Sequence, residues 1–229
     1  MYLPFFFEPT MFILIPGLIL AAYAQSKVSS AYNKYLRVAN TRGITGADTA
    51  REILNKNDLY DIKIELAKGK LSDHYDPRKK ILRLSHDVYH GKSVAALAIA
   101  AHEVGHAIQH HKQYTPLVLR NSIAPVVSLA SNAAWFLFFI GFLFQGTGFM
   151  NLGIIFFTSA VIFHIVTLPV EFNASHRAIE QLNATGLIQL NEGTGVKKVL
   201  DAAALTYVAA TIVAFLQLMR MIILRGSRD

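Results

Sequence analysis

His102-Glu103-Val104-Gly105-His106 sets two imidazoles four positions apart, with a carboxylate beside the first. On an α-helix, positions four apart lie one turn above each other on one face. Both rings can then reach a single metal ion, at the roughly 2.0–2.1 Å typical of zinc–nitrogen bonds. Glu103, next to the first ring, is placed to act as general base toward a water rather than as a ligand. The bland alternative is a pair of hydrogen-bonded core histidines with a paired carboxylate. The surrounding segment from Ser93 to His111 weighs against it, being apolar almost all the way round and so suited to an interior. Each isolated polar group buried there would cost roughly 1–3 kcal/mol.

A third donor decides the class of site. A further His ten positions after the first is ruled out, because Lys112 stands there. His110 lies two turns, about 12 Å, along the axis from His102, so His110 and His111 are expected to be solvated at the helix end. Downstream, Leu168-Pro169-Val170-Glu171-Phe172-Asn173-Ala174-Ser175-His176-Arg177-Ala178 puts Glu171 just past an apolar block. His164 lies about 10 Å before it along a helix, and Glu180 about 13 Å after it on the opposite face. His176 is about 140° round the axis and suits a flanking role. Pro169 favours a bend just before Glu171. A simple interfacial carboxylate at a helix start remains the alternative for Glu171.

These residues must be carried by something largely apolar. Of the 229 residues, 53% are hydrophobic and 16% charged, where soluble domains carry about 25% charged. The apolar residues gather in four blocks: Leu3 to Ala24, Ser122 to Gln145, Phe149 to Val170 and Ala202 to Leu224. A membrane crossing takes roughly 20 helical residues. Glu8 and Pro9 shorten the first block to Thr10–Ala24, and no Lys or Arg precedes that run, so a retained anchor is expected rather than a signal peptide. His164, inside the third block, is expected to make an interhelical hydrogen bond, and Asn132, Trp135 and Gln217 to serve packing and interface roles.

The formal charge of +7 is spread out, with no basic run longer than Arg78-Lys79-Lys80, which argues against nucleic acid. Positive segments stay in the cytoplasm. That rule places residues 25 to 116 and Glu171 to Asp201 inside, and the N-terminus and the Gly146 turn outside. Arg220, Arg225 and Arg228 would then sit at an outer C-terminus, against the rule. The absence of cysteine removes disulfides and thiolate sites.

Between the first two blocks, a helix is expected over Ser26–Ala39 and another from Thr45, where Asp48 completes a capping box, to about Asn57. Asp61–Leu66 alternates like a half-buried strand. Ser72–Pro77 is turn chemistry, Ile81–Ser85 a second strand, and Ser93 the cap of the histidine helix.

The His102–His106 motif, its Ala-rich helix, the Glu171–Ala178 stretch, Asp73-His74-Tyr75-Asp76-Pro77 and Leu84-Ser85 together resemble the bacterial membrane neutral zinc metallopeptidase family, over nearly the whole chain. That family is similar in logic to the gluzincin membrane proteases. The resemblance implies His102, His106 and Glu171 as zinc ligands and Glu103 as catalytic base, with one coordination position left open as in catalytic sites. It implies that Ile81–Ser85 holds extended substrate, an ordinary core strand being the alternative. His176, Arg177 and His74 are candidates to stabilise an oxyanion. Many gluzincins carry an Asp four residues after the third ligand, where this chain has Ser175, so the support of a zinc-bound His would come from elsewhere or be weaker.

The expectation is a mainly α integral membrane protein, with about four transmembrane helices and a small cytoplasmic α+β zincin-like catalytic domain. Its parts are a transmembrane anchor at 1–25, a cytoplasmic domain with the histidine helix at 26–116 and a transmembrane hairpin at 117–170. A cytoplasmic segment with the third ligand follows at 171–201, then a transmembrane helix and tail at 202–229. The expected activity is zinc-dependent endopeptidase cleavage of membrane-associated or misfolded proteins at the plasma membrane. The expected partners are a protein or peptide substrate and the bilayer, with oligomeric state and any partner protein left open. The rival is a non-catalytic membrane scaffold that uses zinc for structure, though such a site has no need of Glu103.

Overall fold

The computed structural model describes residues 9–144 and 146–227; Glu8, Gln145 and Arg228 lie outside them. A 3-10 turn, Pro9–Leu14, leads into α1 (Ile15–Leu36) and then α2 (Gly46–Lys56). β1 (Lys63–Leu66), β2 (His74–Asp76) and β3 (Ile81–Leu84) follow, with a short α3 (His86–Tyr89). The rest is helical: α4 (Val94–His111), α5 (Thr115–Leu143), α6 (Thr147–Ala184) and α7 (Leu190–Gly226). The chain divides into two compact units.

One unit comprises Gln25–Leu117 and Pro169–Leu205. Two of its helices, α2 and α4, begin where side chains satisfy free backbone donors. Thr45 accepts from the Asp48 amide while the Asp48 carboxylate accepts from the Thr45 amide, and Ser93 Oγ accepts from the Ala96 amide. The three strands are ordered β1-β3-β2, with β1 parallel and β2 antiparallel to β3. Leu82 and Leu84 point into the core from β3, alternating with the less buried Ile81 and Arg83. They join Ile53 and Leu54 of α2, Leu97, Val104 and Ile108 of α4, and Leu182 of α6. α4 is buried along most of its length, as its composition requires.

Two expectations are corrected here. His74–Asp76 is a strand, in register with Arg83, Leu82 and Ile81, rather than a turn. The turn chemistry acts one step later, where Asp76 Oδ1 accepts from the amides of Arg78 and Lys79. β3 is the central strand, hydrogen-bonded on both edges, so Ile81–Leu84 has no edge left for an extended substrate; the strand is structural.

The other unit comprises residues 9–24, 118–168 and 206–227 of the described chain. It holds the apolar stretches of four helices long and apolar enough to cross a membrane. α5 and α6 approach closely: a Cβ on Gly153 would lie 2.8 Å from the Phe138 amide nitrogen and 2.9 Å from the Ala134 carbonyl oxygen. Phe138, Met150, Met221 and Leu224 fill the interior, while Phe12, Leu129, Phe136, Phe144 and Ile155 stay exposed, as lipid-facing side chains would.

Arg220 is buried and donates from Nε to Thr10 Oγ1 at 3.4 Å, and Arg225 donates to Asn151 Oδ1 at 3.0 Å. These two arginines are engaged inside the unit and do not simply add positive charge to a solvated tail. Gln217 is buried, and Trp135 meets Phe157 edge-on. His164 does not make the expected interhelical hydrogen bond among the described residues; its ring lies against Phe163 on its own helix.

Candidate metal centre

The site is built by two helices of the first unit. α4 presents His102 and His106 one turn apart, with ring centroids 4.8 Å apart. α6 presents Glu171, two residues after Pro169; the helix continues through this proline to Ala184 without a break. Glu171 Oε2 lies 3.3 Å from His102 Nε2 and 3.6 Å from His106 Nε2, and ligand atoms of the three residues all lie within 4.8 Å of one another. The carboxylate is buried, whereas the two rings keep a partly open side.

A glycine makes this approach possible. A Cβ on Gly105 would sit 2.6 Å from the Ala174 carbonyl oxygen and 3.2 Å from its Cα, so any side chain at that position would push α6 off α4. The third residue of the motif's interior is therefore a steric requirement of the site, separate from the chemistry of its neighbours.

The far nitrogen of each ring is held as well. Gln109 Nε2 donates to the Val170 carbonyl at 2.8 Å and to Asn173 Oδ1 at 3.0 Å, which fixes its amide so that Oε1 faces His106 Nδ1 at 3.0 Å. An amide oxygen only accepts, so His106 donates from Nδ1; Nε2, the nitrogen turned to Glu171, donates to that carboxylate in the charged ring and carries a free lone pair in the neutral one. Ser175 Oγ lies 3.2 Å from His102 Nδ1 and takes the supporting place expected of an Asp. Burial pushes the His106 imidazole down, but its hydrogen bond to Glu171 and the charges of Glu103 and Glu171 outweigh that, and the net shift is upward.

Glu103 is half-buried beside His102. Its charge reaches Asp73, whose carboxyl is raised first by burial and further by Glu103. Asp73 accepts from the Ser85 amide at 2.7 Å and from Ser85 Oγ, tying the loop before β2 to the end of β3.

The flanking candidates are placed elsewhere. His176 is largely exposed and pairs through Nε2 with Glu180 Oε1 at 3.1 Å. Arg177 Nε donates to Asn173 Oδ1 at 2.7 Å, so it extends the Gln109 network. His74 is exposed and turned to the Ser72 carbonyl. His110 is not simply solvated: the Tyr75 hydroxyl meets its Nδ1 at 3.0 Å. Gln109 carried no sequence signal, although it stands one turn after His106; Asn173 and Asp73 lie in stretches that carry the family resemblance, but nothing there gave either a role of its own.

Two imidazole nitrogens and one carboxylate oxygen converge here in a group that could hold a metal ion, of the donor types that bind zinc. Residues 10–226 match the family described as "Putative neutral zinc metallopeptidase". The chain is 50% identical over 221 residues to the Bacillus subtilis (strain 168) protein named "Putative membrane protease YugP", covering 96% of this chain and 98% of that one. No solved structure matches.

Proposed function

The chain belongs to the neutral zinc metallopeptidase family, and from that premise we propose that it is a membrane-embedded endopeptidase of gluzincin type, with His102, His106 and Glu171 holding zinc and Glu103 as general base. The observation that carries this reading is the meeting of the three donors from α4 and α6 at 3.3 and 3.6 Å. Zinc, when bound there, supplies a Lewis acid that polarises a peptide carbonyl and lowers the pKa of a nearby water. Glu103 takes the water's proton and delivers it to the departing amine. Gln109 keeps the His106 ring in the tautomer that offers Nε2 to the ion, and Ser175 holds the His102 ring in place through Nδ1. Arg177 acts through Asn173 as a positioning residue, and His176 would have to leave Glu180 before it could meet an oxyanion.

We read the substrates as membrane-associated or misfolded proteins. We further place the unit that carries α4 and Glu171 on the cytoplasmic side, because residues 25–116 hold 15 Lys and Arg against 9 Asp and Glu. Single cysteines at Lys68, Glu192 and Thr147, in a chain that has none, test that placement in intact cells. An impermeant thiol reagent should label only Thr147→Cys, and labelling of Lys68→Cys would reverse the orientation.

Glu103→Gln tests the mechanism. The amide is nearly isosteric yet cannot accept a proton, so zinc content should stay at that of the native protein while casein cleavage falls by about 10³-fold or more. An active Glu103→Gln protein would remove Glu103 from the reaction.

A further inference from the structure

Within the unit that holds the metal site, α1 and α7 enclose a second cleft of about 410 Å³, away from the catalytic residues. Three ammonium groups line it: Lys27 and Lys34 on α1, and Lys198 on α7. Lys27 and Lys34 are seven residues apart, two turns of one helix, so they stack on the same face about 10 Å apart. The one carboxylate in the cleft, Asp201, is held by Lys197 at 2.6 Å, which offsets its charge. Ser30 adds a hydroxyl, and Ala31, Ala202 and Leu205 supply an apolar floor.

The place of this cleft along its helices matters as much as its charge. Lys27 comes three residues after Ala24, which ends the first apolar run, and Ala202 and Leu205 lie at the start of the apolar block of α7. Cationic side chains beside an apolar floor, where the apolar runs of two helices give way to charge, suit an anionic phospholipid, whose phosphate adjoins its glycerol and acyl chains. A soluble anion would make no use of the apolar floor.

We propose that this cleft binds the headgroup of an anionic phospholipid, with Lys27, Lys34 and Lys198 on the phosphate and the Ala31–Ala202–Leu205 floor against the glycerol and the start of the acyl chains. The site draws on the protein's membrane location and is independent of the peptidase mechanism.

Native mass spectrometry of the full chain released from detergent, titrated with dioleoyl phosphatidylglycerol or dioleoyl phosphatidylcholine, reads this directly. One phosphatidylglycerol should be retained in preference to phosphatidylcholine. Lys27→Gln/Lys34→Gln/Lys198→Gln should weaken that retention by about tenfold or more, and the corresponding triple arginine variant should restore it. Lys63→Gln/Lys68→Gln/Lys70→Gln, which removes the same charge from exposed positions outside the cleft, should leave it unchanged. Equal retention of the two lipids, an unaffected cleft triple, arginine variants as weak as the glutamine ones, or equal loss in the control triple would each overturn the site. Displacement of the lipid by millimolar inorganic phosphate would show a plain anion site and overturn the lipid assignment.

Discussion

The two units use the same kind of close helix approach for different ends. In the apolar unit, Gly153 lets α6 meet the backbone of α5 around Ala134 and Phe138, and the neighbours are Phe, Met and Ala. In the other unit, Gly105 lets α4 meet α6 at Ala174, and the neighbours are His102, His106, Glu171, Gln109 and Ser175. The first contact is closed by dispersion and shape alone. The second gathers buried polar groups that must all be partnered, so it tolerates less error: a misplaced methyl costs packing in one unit, and in the other it also costs the geometry of three donors. Proximity is generic, and the residues beside it decide whether it becomes a site.

The sharpest way to break this contrast is to remove a donor. Glu171→Ala should lower zinc affinity by about 10³-fold or more, while Glu180→Ala, whose carboxylate pairs with the exposed His176, should leave it near the native value. Competition with a chromophoric chelator ranks the two, and the reverse ranking would displace Glu171 from the ligand set.

A smaller effect is expected from methyl groups at the two contacts. Gly105→Ala and Gly153→Ala should each destabilise their own contact by about 1–3 kcal/mol. Only Gly105→Ala should also weaken zinc binding, by about tenfold or more. Thermal unfolding in detergent together with zinc titration separates the two. Equal loss of zinc from both variants would mean that the contacts are not distinguished by their neighbours.

A comparable effect concerns the support behind the rings, and its smallest part belongs to Ser175. Gln109→Ala should reduce zinc affinity by about 10–100-fold, since it removes the His106 partner and two ties to α6. Ser175→Ala should cost less, because the 3.2 Å contact to His102 is single and the hydroxyl neutral. If Ser175→Ala proved the more damaging, His102 rather than His106 would be the ring that depends on its support.

What was legible in the sequence follows the range of the physics involved. Thr45 and Ser93 could be read as caps because a cap bonds within three residues of itself, and the His102–His106 pair because one helical turn suffices. Glu171 was reachable through its place after an apolar block. Gln109 and Asn173 were not, because their roles arise only where α4 crosses α6, and polar residues on a helix have no spacing that announces such a crossing. The strand at His74–Asp76 was hidden for a related reason: its partners are in β3, and its own Asp and Pro residues read locally as a turn. The charge rule counts Arg220 with the tail because a sequence does not show that its side chain is buried.

One further consequence belongs to α6 being a single uninterrupted helix from Thr147 to Ala184. Along such a rod every residue carries a fixed phase of 100° and a fixed advance of 1.5 Å. One amino acid inserted between Glu171 and Ala174 would be a phase error more than a lengthening, turning one of the two off the face that meets α4. An insertion of four would miss by only 40° but slide the carboxylate about 6 Å along the axis. Neither can repair the other, so the length of this stretch is locked by arithmetic, and any change in it must be absorbed by breaking the helix or by giving up Glu171 as the residue that faces α4.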